Sequence, residues 1–237
     1  MVVTRDVEYE VDGALMRGYL ALPEDRAPWP GVLVAHEGNG LDDFQLTKAP
    51  RLAELGYAAL ALDYYGGRKV FDDREEMMHA VIELASDADR LRARGRAALD
   101  VLLAEPGVDA ERIAAIGFCF GETVVMELAR TGADLKAVVG FHPGLNILRP
   151  GDSRHIKGKV LVCVGADDPV VPPESRRAFE EEMRDGGVDW RMLLLGGVEH
   201  SFTHPFADTL GIPGLRYDEL AAERSWRAML DLFAEVF

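Results

Sequence analysis

The sequence predicts an α/β fold, a mostly parallel central sheet with helices on both faces. Short, nearly continuous apolar runs recur along the chain, as strands buried on both faces require. Segments of helical period separate these runs, so each strand is joined to the next by a crossover. The chain of 237 residues is 48% hydrophobic, enough to fill one sizeable core, and residues 1–237 are expected to form a single domain.

Residues 6–10 and 14–22 alternate as strands do, with Asp12-Gly13 as the turn between them. Pro23, Pro28 and Pro30 then break the chain. GVLVAHE, residues 31–37, is a continuous apolar run that ends in polar residues, the mark of a buried strand. Residues 47–55 have helical period and stop at Gly56. YAALALD (57–63) is the second buried strand, and 74–105, rich in Ala, Leu, Arg and Asp, is expected to be helical. RIAAIGF (112–118), KAVVGF (136–141), KVLVCVG (159–165) and WRMLLL (190–195) continue the series of strands. Helices are expected at 120–131, 174–186 and about 217–236.

Composition excludes several functions. The net charge is -15 and the pI about 4.8, so the surface repels nucleic acid and anionic membrane, both of which need clustered Lys and Arg. No apolar run is long enough to span a bilayer, and MVVTRDVEYEVDG at the N-terminus lacks a basic-then-apolar leader pattern. The two cysteines, Cys119 and Cys163, have no metal-site spacing and make no disulfide framework. A reducing cytoplasm is the expected location. The expected partner is a small molecule, with no nucleic acid and no membrane, and the chain is expected to be a monomer or small homo-oligomer.

In open parallel sheets, ligands sit at the carboxyl ends of the strands. The polar residues just after the apolar runs are Glu37, Cys119, His142, Asp168 and His200. Gly117-Phe118-Cys119-Phe120-Gly121 lies between a strand and a helix, the context of a nucleophile elbow. That turn is sharp, so only small side chains fit two positions either side of its tip, hence both glycines. It exposes the thiol at a helix N-terminus, which favours its anionic form. A buried structural cysteine is the bland reading of any lone Cys; it suits Cys163, inside KVLVCVG with no flanking pattern.

Elbow enzymes carry nucleophile, acid and histidine in that order. Asp168, in Gly165-x-x-Asp168-x-x-Val171-Pro172, follows one strand, and His200, in His200-Ser201-Phe202, follows the next. His200 would move the proton and Asp168 would hold its tautomer. Asp167 competes with Asp168, and its bland reading is a turn or cap before Pro172-Pro173. His36 and His142 are rival histidines; His142 precedes the acid in sequence. His200 and His204 have a metal-like spacing, but Pro205 breaks the helix that such a site needs, so neither metal nor cofactor is expected. Backbone N–H groups of Phe120 and Gly38 are the expected oxyanion donors. Glu37 ends the first buried strand facing this edge; its bland reading is a carboxylate solvated in the loop.

These residues resemble the dienelactone hydrolases, a family of α/β-hydrolase fold, across nearly the whole chain. The resemblance rests on G-F-C-F-G, the acidic residue at the end of the first buried strand, G-x-x-D-x-x-V-P, and H-S-F. It implies hydrolysis of a carboxylic ester or lactone, of carboxymethylenebutenolidase type. The expected path is an acyl-enzyme on Cys119, with His200 and Asp168 completing the triad. It also implies that Glu37 holds the thiol proton until substrate arrives. Family members grip a substrate carboxylate with arginines. One falls four residues after the histidine, where this chain has His204; the other falls after Tyr64-Tyr65, where Arg68 and Arg74 both stand. Tyr65, Arg68, Arg74 and His204 are therefore the candidate substrate-binding residues. A catalytically inactive ligand-binding protein and a thiol redox sensor are the alternatives.

Overall fold

The computed structural model describes residues 2–25 and 27–237. Its strands are β1 (Val2–Val11), β2 (Ala14–Pro23), β3 (Trp29–Ala35), β4 (Ala58–Leu62), β5 (Val108–Phe118), β6 (Ala137–Phe141), β7 (Lys159–Gly165) and β8 (Trp190–Leu195). They form one sheet in the order β1-β2-β4-β3-β5-β6-β7-β8. β1 and β2 pair antiparallel, as do β2 and β4, and every later neighbour is parallel. The helices are α1 (Asp43–Leu46), α2 (Lys48–Ala53), α3 (Arg74–Ala85), α4 (Ala88–Leu103), α5 (Phe120–Arg130), α6 (Pro173–Asp185) and α7 (Glu219–Val236).

Alternation along each strand sends side chains to two cores. Leu33, Ile113, Val138 and Val162 pack with residues of α4, α5 and α6 on one face. Val34, Ile116, Phe141 and Cys163 pack with α2 and α7 on the other. A fully buried side chain of this kind contributes about 1.5–3 kcal/mol, so the two layers fix the sheet. Register then aligns the strand ends. Gly117 pairs with Ala35 and Gly140, Phe118 with Phe141, Phe141 with Cys163, and Gly165 with Leu195. The carboxyl ends of β3, β5, β6, β7 and β8 thus lie along one edge.

The structure corrects several boundaries. The segment 74–105 is two helices, because Asp87 accepts a hydrogen bond from Arg90 N–H and caps α4 while Ser86 closes α3 onto Glu83 O. Ser and Asp compete with helical backbone in this way. The helix expected at 47–55 is α2, shorter at both ends, and Thr47, whose hydroxyl donates to Phe44 O, separates it from α1, a helix not expected from the sequence. β5 begins at Val108, earlier than its apolar run; a register jump between Pro30 and Gly31 hid the extra residues. β3 ends at Ala35, so His36 and Glu37 have already left the sheet.

Candidate active site

Cys119 stands between β5 and α5 with φ 51° and ψ −119°. A non-glycine residue in such a region costs of order 1–3 kcal/mol and persists only where its surroundings force it. Two backbone contacts do so. A Cβ on Gly117 would lie 2.3 Å from the carbonyl carbon of Gly121, and a Cβ on Gly121 would lie 2.3 Å from His36 O. Cys119 N–H donates to Phe141 O at 3.0 Å, tying the turn to β6. The thiol is half-buried at the N-terminus of α5.

The thiol meets His200. Nε2 of His200 lies 3.2 Å from Cys119 Sγ, and Nδ1 lies 2.7 Å from Asp168 Oδ2. Asp168 is buried, and its Oδ1 accepts from Val170 N–H at 2.8 Å. Asp167 is exposed. The loop before α7 holds the histidine backbone: His200 N–H donates to Gly214 O, and Arg216 N–H donates to His200 O. Burial acts to lower the pKa of His200, but the Cys119 sulfur and Asp168 carboxylate overcome it and push the imidazole up to about 10.

Glu37 enters the same edge, buried, and its Oε1 has no hydrogen-bond partner among the described residues. Oε1 lies 3.7 Å from His142 Nε2. Burial raises the carboxyl pKa, opposed by His204, His200 and Lys48. Among the described residues, Sγ of Cys119 has its hydrogen bond with His200 and none with Glu37. The Glu37 backbone is held by Tyr64, whose hydroxyl lies 2.8 Å from Glu37 O and 3.0 Å from His36 O. The Tyr64 ring stacks on His36 at 3.7 Å. His36 is fully buried, and burial pushes it down to about 4.

Phe120 is the first residue of α5, where helical N–H groups lack intrahelical partners. Gly38 is buried beneath α3, near Val81 and Met77, and its carbonyl accepts from the Tyr65 hydroxyl at 2.8 Å. His204 is buried, with its ring 4.7 Å from Phe44. Arg74 is exposed at the start of α3. Arg68 is not brought to the site. Its guanidinium is occupied by Asp6 and the carbonyls of Arg17 and Gly18, on β1 and β2. Asp63 accepts from Arg68 N–H, Tyr65 N–H and Gly66 N–H, and this hub turns the loop away.

Sequence reasoning missed Lys48, Tyr64 and Thr203. Thr203 Oγ1 lies 2.8 Å from Nε2 of His142, whose ring is buried 5.1 Å from that of His200. Burial, with nearby His200 and Lys48, pushes His142 well below its ordinary range, so it is neutral. Thr203 follows the His200-Ser201-Phe202 motif and could have been found from that position; Lys48 carries no local signal at all. Among the described residues, no group of three or more His, Cys, Asp or Glu is placed to hold a metal ion. Nor is any helix long and apolar enough to cross a membrane.

A parallel sheet whose strand-to-helix turn lifts a nucleophilic side chain beside a histidine defines an α/β-hydrolase. The chain belongs to the dienelactone hydrolase family, whose model matches residues 16–237. It is a carboxylic ester hydrolase of that type. A solved structure described as a dienelactone hydrolase-like promiscuous phosphotriesterase from metagenomic libraries is 46% identical, with a TM-score of 0.96 over 100% of this chain and 99% of that one. Protein usf of Aquifex pyrophilus is 29% identical over 97% of each chain. A dienelactone hydrolase of Anabaena variabilis, 21% identical, shares the fold with a TM-score of 0.70 over 100% of this chain and 99% of that one.

Proposed function

We propose that the chain cleaves its ester or lactone by covalent catalysis, with Cys119 as nucleophile, His200 as acid–base group and Asp168 as the carboxylate that orients it. The observation that carries this reading is the unbroken line from Sγ through Nε2 and Nδ1 to Oδ2, at 3.2 and 2.7 Å. His200 takes the thiol proton as Sγ attacks the carbonyl carbon. The oxyanion is held by N–H groups of Phe120 and Gly38. His200 gives the proton to the leaving oxygen as the tetrahedral intermediate collapses to a thioester. Water, deprotonated by His200, then attacks the thioester and releases the acid. In a cyclic enol-lactone the leaving group stays tethered as an enol. No cofactor takes part.

Glu37 is the reserve acceptor for the thiol proton in this reading, supported by the burial that raises its carboxyl pKa and so favours the protonated form. Tyr65, near Cys119, and His204, near Glu37, are the candidates for holding the substrate. The free thiols support a reducing, cytoplasmic setting. Neither a redox sensor nor an inactive binder is favoured: Cys163 is buried inside β7, its thiol pushed up to about 12 by burial. A phosphotriester is a second substrate class, suggested by the 46% identity to the phosphotriesterase.

The test is turnover of p-nitrophenyl acetate, dienelactone and a p-nitrophenyl phosphotriester by the intact protein and by Cys119→Ala. Intact-mass spectrometry after a brief mix with ester should show an acylated Cys119. No turnover of any of the three substrates, or an active Cys119→Ala, would overturn the reading.

A further inference from the structure

Lys48 opens α2 and is buried, with 5% of the residue exposed. Its Nζ lies 3.9 Å from the centroid of the Phe44 ring and 4.9 Å from that of Phe118. Among the described residues it makes neither a hydrogen bond nor an ion pair. The other buried cations differ. Arg94 donates to Tyr64 O, and Arg130 is bonded to Glu127 and Glu182. A buried charge without a partner is costly, and two faces of aromatic rings offset only part of that cost. Burial pushes Lys48 down to about 8, against the pull of Glu37, so the ammonium is mostly charged at neutral pH.

Lys48 stands in the wall of a crevice of about 250 Å³ between α1–α2, the loop after His200 and α7. Its accessible apolar walls are Phe44, Pro205, Tyr217 and Ala222, over the buried rings of Phe118, Phe141 and Trp226. The Phe118 and Phe141 rings are stacked at 4.8 Å, and the Arg51 guanidinium lies 3.9 Å over Trp226. Charge is graded along it. At the exposed rim Arg51 faces Glu219 and Glu223. At the buried end Lys48 makes no ion pair among the described residues, and Glu37 and Asp42 act on it from farther away. Cys119 is not part of the lining, but Thr203 is, and Thr203 is bonded to His142 beside His200.

We propose that this crevice is a second binding site, beside the hydrolytic centre and without Cys119 in its lining, for a monocarboxylate with a flat apolar body. The carboxylate pairs with Lys48, and the body lies against Phe44, Pro205 and Tyr217. The buried, unmatched cation selects the acid, and the aromatic walls select its shape. The site goes beyond the proposed hydrolysis, because occupancy needs no attack by Cys119.

The experiment is calorimetric titration of the intact protein at pH 7 with 2-naphthoate and with its uncharged counterpart, 2-naphthalenemethanol. Saturable binding of one naphthoate is expected, with the alcohol weaker by at least about tenfold. Lys48→Met should abolish the preference for the acid, while Lys48→Arg should keep it. Protein alkylated at Cys119 with iodoacetamide should bind naphthoate as the intact protein does. Absence of saturable binding, equal affinity for acid and alcohol, or loss of binding on alkylation would overturn the proposal. The comparison of acid with alcohol uses the intact protein, so it decides even if Lys48→Met fails to fold. Hydrolysis is not the readout, so failure here is distinct from failure of the catalytic reading.

Discussion

The rings of His200 and His142 lie 5.1 Å apart, yet they belong to clusters built on opposite terms. Around His200 both ring nitrogens are bonded, one to Cys119 and one to Asp168. Around His142 the bonding is incomplete. Among the described residues, its Nδ1 and the Oε1 of Glu37 have no hydrogen-bond partner. The first cluster favours a proton on the imidazole, raising it to about 10, while burial drives one off its neighbour. Partnership, more than depth, decides which way a buried histidine titrates. The bonded histidine, His200, is poised to move a proton, and His142 behind it is kept neutral.

The comparison breaks most visibly at sulfur. Cys119→Ala should lower kcat/KM for a chromogenic ester by about 10⁴-fold or more. Cys163→Ala, deep in the α7 face, should leave it within about twofold while lowering the melting temperature. Equal losses in the two variants would remove Cys119 as nucleophile. The next effect is at the carboxylate: Asp168→Asn should cost about 10³-fold in kcat, and Asp167→Asn almost nothing. A reversal of that pair would reassign the orienting carboxylate.

Glu37→Gln probes the second cluster, with an expected fall in kcat of about 10²-fold at little change in KM. It should also alter the rate at which iodoacetamide alkylates Cys119. Unchanged kcat and alkylation together would leave Glu37 a structural residue. The smallest effect concerns stability. The folded-state pKa of His142 lies below its unfolded value, so the unfolded chain takes up a proton that the native state refuses. Stability therefore falls as pH drops below about 6.5, by up to about 1.4 kcal/mol per pH unit for one such group. Urea titrations of His142→Asn at pH 5 and 7 should show a shallower fall than the intact protein. For His200 the sign is opposite, since its raised pKa contributes stability below about pH 6.5 that is lost as pH rises through about 10.

Much of this was legible in sequence because it depends on local rules. The elbow needs glycine at 117 and 121 for contact with backbone, and the apolar runs announce buried strands. Asp168 and His200 follow strands whose register puts their ends together. What failed to show was non-local. Lys48 reads as the first residue of an ordinary helix until α1 and α2 fold over Phe118. Arg68 reads as a cation after Tyr64-Tyr65 until Asp63 turns the loop toward β1 and β2. The break between α3 and α4 was writable from Ser86-Asp87, but the helical composition on both sides concealed it.

The contact of Gly121 with the His36 carbonyl has a consequence for how such an enzyme diversifies. It joins the turn that carries sulfur to the loop that carries Gly38, backbone against backbone. The spacing between attacking atom and oxyanion donor is therefore inherited from the main chain and is indifferent to most side chains. Met77 and Val81 over Gly38, and Phe44 beside His204, are outside that constraint. A lineage can redraw these walls one residue at a time and change what it digests, while the reacting geometry passes unaltered from ancestor to descendant.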